Sequence, residues 1–108
     1  MALSMVQFSL NSDIVEKLIK NPEDRSVAVR KMIEQLGGKM LAFYYCFGEY
    51  DGIVIAEFPD NVSGLATAMV SYASGAAIKL KTTILITVEE AMAAMKKAAG
   101  ANLTMPKG

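Results

Sequence analysis

Between residues 39 and 58 the sequence reads KMLAFYYCFGEYDGIVIAEF, two apolar runs around Gly48-Glu49-Tyr50-Asp51-Gly52. Asp-Gly between runs rich in aromatic and β-branched residues is a strong signal for an antiparallel hairpin. Both strands of that hairpin are apolar on both faces. Leu41, Phe43, Tyr45 and Phe47 alternate with Met40, Ala42, Tyr44 and Cys46, and Ile53 and Ile55 alternate with Val54 and Ala56. An antiparallel sheet with one face in water alternates apolar with polar residues, so a sheet built on this hairpin needs cover on both sides. One layer of helices covers one side. A second copy of the chain is the simplest cover for the other.

The flanking segments supply the rest of such a sheet. Residues 2–10 alternate as a first strand, with Gln7 and Ser9 interleaved among Val6, Phe8 and Leu10. Asn11-Ser12-Asp13 offers capping oxygens to a short helix carrying Ile14, Val15, Leu18 and Ile19 at helical spacing. Asn21-Pro22 interrupts it. Pro22 suits the first position of a new helix capped by Asn21, whose stripe is Val29, Met32, Ile33 and Leu36 and whose left-handed stop is Gly37-Gly38. After the hairpin, Pro59-Asp60-Asn61 caps a helix with the stripe Val62, Leu65, Ala66, Met69, Val70 and Ala73, closed by Gly75. Residues 77–87 form a fourth strand, with Lys79, Lys81 and Thr83 on one face and Ile78, Leu80, Thr82 and Ile84 on the other. Thr87-Val88-Glu89-Glu90 is a capping box for a last helix that Gly100 ends. The expectation is an α+β chain of ferredoxin-like plan, βαββαβ, with an antiparallel four-stranded sheet, an extra C-terminal helix and, by pairing of bare sheet faces, a dimeric α/β barrel. Residues 1–100 form the single domain and residues 101–108 a loose tail.

Composition narrows the partners. Eleven basic and eleven acidic residues balance without a long run of either sign, so the electrostatic footprint of a nucleic-acid binder is missing. With no histidine and one cysteine, no transition-metal site of the usual nitrogen and sulfur type and no histidine-based triad can be built within one chain, and no cofactor is expected. The longest apolar run, residues 40–47, is far short of a membrane span of about 20 residues. Neither membrane nor nucleic acid is an expected partner. One unpaired cysteine and no basic segment before Lys17 fit a reducing cytoplasm.

The stretch from Phe43 to Gly52, with Pro59-Asp60-Asn61, Ala73-Ser74-Gly75 and residues 82–90, resembles the GYD domain family, and the likeness takes in residues 21–38. That family is similar in plan to the dimeric α/β barrels. Where its pattern carries an aromatic residue after Ser9, this chain has Leu10. The same G-x-Y-D hairpin and the apolar strand after it also resemble the effector-binding domains of leucine-responsive transcription regulators, which bind amino acids at subunit interfaces. The helix-turn-helix half of those regulators has no counterpart here.

Several residues are candidates for a ligand site. Glu49 and Asp51 lie two apart in the hairpin loop, where a carboxylate pair could do acid/base work. The alternative is a turn role, Asp51 bonding to nearby backbone amides. Tyr44, Tyr45 and Tyr50 could present hydroxyls to a ligand or serve as core. Gln7, Ser9 and Glu57 are polar exceptions in apolar strands, either lining a pocket or pairing across the sheet. Lys79 and Lys81 could meet an anion or guard an edge strand. Arg25, in a region where the family likeness implies an arginine, could hold a carboxylate bidentately or sit in solvent. Ser74-Gly75 reads as a helix stop, and Cys46 as a buried structural thiol. The ligand-binding candidates are therefore Gln7, Arg25, Tyr44, Glu49, Tyr50, Asp51 and Glu57.

The expected function is a small-molecule-binding homo-oligomer, a homodimer or higher even assembly, taking a small organic or amino acid at the barrel or subunit interface. One alternative is a cofactor-free oxygenase or isomerase of the kind found among dimeric α/β barrels. The other is a structural or regulatory interaction module.

Overall fold

A computed structural model describes residues 2–101. Its elements are β1 (Ala2–Leu10), α1 (Ser12–Lys20), α2 (Ser26–Gln35), β2 (Lys39–Tyr45), β3 (Gly52–Phe58), α3 (Asn61–Ala73), β4 (Ala77–Leu85) and α4 (Val88–Ala99). The strands form one sheet in the order β2-β3-β1-β4 with every neighbouring pair antiparallel. This is the ferredoxin-like α+β plan with an added C-terminal helix. The expected tail from residue 102 onward lies outside the described residues.

Register sorts the side chains into two faces. Phe8 stands opposite Gly52 and Leu80, and Val6 opposite Val54 and Thr82. These residues share the face on which α2 and α3 pack. Phe8, Ile33, Met40, Val54, Ala56 and Phe58 are its buried cluster. On strand β2 the expected strict alternation fails, because the pairing slips between Met40 and Ala42, so that Met40 joins Phe43 and Tyr45 on the helix side and Ala42 and Tyr44 face the other way. A bulge of this kind re-aims every later side chain.

Three expectations about the helices need correction. Helix α2 does not restart at Pro22 under an Asn21 cap. Asn21 ends α1, and α2 begins at Ser26, whose N–H donates to Asp24 Oδ1 at 2.9 Å and whose hydroxyl donates to the same oxygen. Asp24 outcompetes Asn21 because its carboxylate takes two donors of the first turn at once. Of the Gly37-Gly38 pair, Gly37 alone is left-handed, at φ 87°. Gly38 is there for space, since a Cβ on it would lie 2.7 Å from the Phe58 ring and 2.8 Å from Ile33. On α3 the stripe expected to face the core turns away. Val62, Leu65, Met69 and Val70 are exposed, while Gly64, Thr67, Ala68 and Ser71 sit toward the sheet. Small residues let the helix rest over the bulky Phe58, which a Cβ on Gly64 would touch at an ordinary 3.7 Å.

The remaining caps follow the sequence. Asp60 accepts from Ser63 N–H at 2.8 Å, and Thr87 accepts from Glu90 N–H at 3.1 Å. Gly75, at φ 76°, follows the end of α3. Hydrogen bonds hold two of these carboxyls below the ordinary carboxylate value: Asp24 by the Ser26 hydroxyl first and its N–H next, and Asp60 by the Ser63 N–H first. A depressed folded-state value means that the stabilisation is present above the ordinary 3.8 and is lost as pH falls below it through the folded-state value. Urea midpoints should therefore fall between pH 5 and the acid side of pH 3, roughly the range in which aspartate titrates. Asp60→Asn, which keeps an acceptor without the titrating carboxyl, should flatten part of that fall.

Helix α4 buries no residue, and Val88, Met92 and Met95 are exposed along it. The molecule measures 60 × 33 × 23 Å, with a radius of gyration of 17.8 Å against about 13 Å for a compact chain of this length. Such a shape leaves much of the chain's apolar surface exposed.

Candidate functional site

The sheet face opposite α2 and α3 has an apolar centre. Pairing sets Met5 beside Ile55 and Thr83, Leu3 beside Glu57 and Leu85, and Gln7 beside Ile53 and Lys81. Ala42 and Tyr44 continue this face on β2, opposite Ile55 and Ile53. No described helix packs substantially on it. Polar groups occupy its corners, with Glu57 across from Lys39 at one end and Lys79 across from Ser9 at the other. Gln7, Tyr44 and Glu57 thus come onto one surface, and Tyr44 is two-thirds exposed there. An apolar middle with a polar rim has the anatomy of a protein interface.

At one end of the sheet, residues 46–51 form a six-residue loop in place of a tight turn. Cys46 N–H donates to Asp51 C=O at 2.9 Å, and Asp51 N–H donates to Phe8 C=O at 2.8 Å. The Asp51 carboxylate accepts from Leu10 N–H at 2.7 Å, a partner 41 residues away on β1. Asp51 is therefore a tie between the loop and the end of β1, where the local turn role placed its bond inside the hairpin. A charge-assisted bond of this kind contributes about 1.5–3 kcal/mol. Tyr50 is buried beside it. Lys79 lies with its ammonium 4.8 Å from the centre of the Tyr50 ring and 3.5 Å from Glu49 Oε1. The Tyr50 side chain first, and Glu49 after it, hold that ammonium above the ordinary lysine value against some desolvation. Glu49 and Asp51 thus have separate partners. The expected burial of Cys46 is also corrected. It is exposed, its Sγ–H donating to Tyr50 C=O at 3.2 Å, because β2 has already left the sheet at Tyr45.

The seventh candidate, Arg25, stands apart from the others. It lines a cavity of about 200 Å³ between the sheet and helices α2 and α3. Its guanidinium Nη1 lies 3.4 Å from Glu23 Oε1, and 28% of its side-chain surface is exposed. Thr67 and Ser71 form part of the opposite wall, their hydroxyls donating to the carbonyls of Ser63 and Thr67 at 2.9 Å. Sequence reasoning missed this cavity. Its signal was the i, i+3, i+4, i+7 row Gly64, Thr67, Ala68, Ser71, small residues at helical spacing that compete with the apolar row for the inner face.

A family model described as the GYD domain matches residues 5–95. A protein of Thermus thermophilus named glutamine synthetase and cystathionine beta-lyase binding protein is 30% identical over 92 residues, 85% of this chain and 96% of that protein. Among solved structures, MtbAldR is similar at a TM-score of 0.52 and 17% identity, over 80% of this chain and 52% of that one, so this chain spans about half its length. A hypothetical protein from Pyrococcus horikoshii is similar at a TM-score of 0.46 and 19% identity, over 81% of this chain and 92% of that one. The likeness to MtbAldR supports the fold and nothing further.

Proposed function

The chain belongs to the GYD domain family, and from that premise we propose that it is a binding protein that assembles with itself and docks on metabolic enzymes. The apolar centre of the uncovered sheet face, Met5, Ile53 and Ile55 flanked by Leu3 and Leu85, carries the self-assembly. A monomer with that face in water would expose an apolar patch in addition to the exposed rows of α3 and α4. The enzyme-docking half draws on the Thermus thermophilus relative, whose name states that it binds glutamine synthetase and cystathionine beta-lyase. The separate partners of Glu49 and Asp51 favour binding over acid/base catalysis.

Biolayer interferometry of the purified chain against glutamine synthetase and cystathionine β-lyase from its own organism tests that half. Saturable binding to at least one of them, with Kd of about 10 μM or tighter, is the expected result. Absence of binding to both at concentrations tenfold higher contradicts it. A second reading, small-organic-acid binding, has its own supporting observation in the cavity beside Arg25.

A further inference from the structure

We propose that the cavity between the sheet and helices α2 and α3 takes a monocarboxylate with a compact apolar body, an aromatic or branched-chain acid, its carboxylate held by Arg25. This inference rests on the small-molecule reading and is independent of enzyme docking. The volume of about 200 Å³ exceeds the roughly 150 Å³ that accommodates a benzene ring in an engineered apolar cavity, so a six-membered ring or a branched chain fits with little to spare. The walls match such a body. Phe8 and Phe43 stand with ring centroids 5.8 Å apart, and Val29 and Leu80 pack beside them. The hydroxyls of Thr67 and Ser71 already donate to carbonyls of their own helix, so each has used its proton there.

Among the described residues Arg25 is the one charged residue in the lining. Its guanidinium carries five donors, and the contact with Glu23, at 3.4 Å to a carboxylate more than half exposed, engages little of that capacity. Arg25 also stands at the N-terminus of α2, where the Asp24 carboxylate already accepts from Ser26, so the guanidinium alone is left to hold an anion. Glu23 and Asp24 immediately before it repel an anion as the guanidinium attracts it, and both effects double with the ligand's charge. The cost of desolvating the ligand in an apolar cavity rises with the square of its charge, so a monoanion suits the site better than a dianion. The cavity itself follows from the inward row of small residues on α3, in a helix that has Leu65 and Met69 available and turns them outward. A void left in a core weakens the fold unless something fills it.

The test is calorimetric titration of the full-length chain with phenylacetate and 4-methylpentanoate, with their neutral amides, and with phenylphosphonate as the dianion. Saturable binding of an acid is expected, at least about tenfold tighter than its amide, with Arg25→Gln bringing the acid down to the level of the amide. Phenylphosphonate should bind more weakly than phenylacetate. Thr67→Leu, which fills the cavity from a helical position suited to leucine, should abolish binding of acid and amide together while the protein stays folded. Equal binding of acid and amide, unchanged binding by Arg25→Gln, or tighter binding of the phosphonate overturns the assignment of a monocarboxylate and leaves small-molecule binding standing. If none of these probes binds, the small-molecule reading falls with it.

Discussion

Gly52→Ala should lower the thermal midpoint by about 10 °C or more, the largest effect expected of any single methyl group in this chain. Gly52 has an ordinary extended backbone, and its lack of a side chain serves space alone. A Cβ built on it would lie 2.1 Å from Phe8 Cζ and within 2.8 Å of two further ring atoms. Phe8 is the cross-strand partner of Gly52, and its ring covers that glycine on the way to Phe43. The ring can escape only by moving off its contacts in the buried cluster, and forcing atoms into a packed site costs about 1–3 kcal/mol. Gly64→Ala is the matched control. Its Cβ meets Phe58 at 3.7 Å, an ordinary contact, and alanine in a helix interior gains about 0.5–1 kcal/mol over glycine. Thermal melts of the two variants should therefore move in opposite directions. A Gly52→Ala protein as stable as the parent would show that Phe8 does not pack over β3.

Ile55→Lys should abolish the proposed self-assembly and leave a folded monomer. Ile55 lies near the middle of the uncovered sheet face, between Met5 of β1 and Ala42 of β2. Ile55 is half-buried, and in a free monomer the long lysine stem can lie along Met5 and Ala42 while its ammonium reaches water, so the fold is kept. In a face-to-face pair the same ammonium is desolvated against apolar side chains of the second copy, a penalty of several kcal/mol per ion, enough to dissociate a micromolar complex. The expected outcome is an unchanged circular dichroism spectrum with the mass of one subunit in sedimentation. Lys31→Glu, on the exposed side of α2, should leave the assembly intact.

The succession of strands and helices along the chain was legible because its signals are local. Asp60 and Thr87 sit at helix starts and take the amides expected of them. Alternation in β4 survived folding from Lys79 to Ile84, so Lys79, Lys81 and Thr83 share the face expected of them, while the register slips between Ser9 and Leu10 and sets Ala77 rather than Ile78 opposite Leu10. Errors arose where two local signals competed. Asn21-Pro22 and Asp24 both offered a helix start, and the carboxylate with two donors in reach won. On α3 the apolar row and the small-residue row were equally periodic, and the bulk of Phe58 beneath the helix selected the small one. The bulge at Met40 to Ala42 has no glycine to announce it, so the facing of Tyr44 and Tyr45 depended on pairing that no run of residues displays. The candidate site was legible in its parts and opaque in its grouping. Asp51 finds Leu10, Lys79 finds Tyr50, and Arg25 finds the cavity through contacts between segments far apart in the chain.

Sedimentation velocity of the unaltered chain over a range of micromolar concentrations reads whether a second copy covers the bare sheet face. The predicted result is a dimer or a larger even assembly, at least twice the 11.6 kDa of the chain, persisting on dilution. A single species of 11.6 kDa at every concentration would contradict it, since the face centred on Met5, Ile53 and Ile55 would then stand in water.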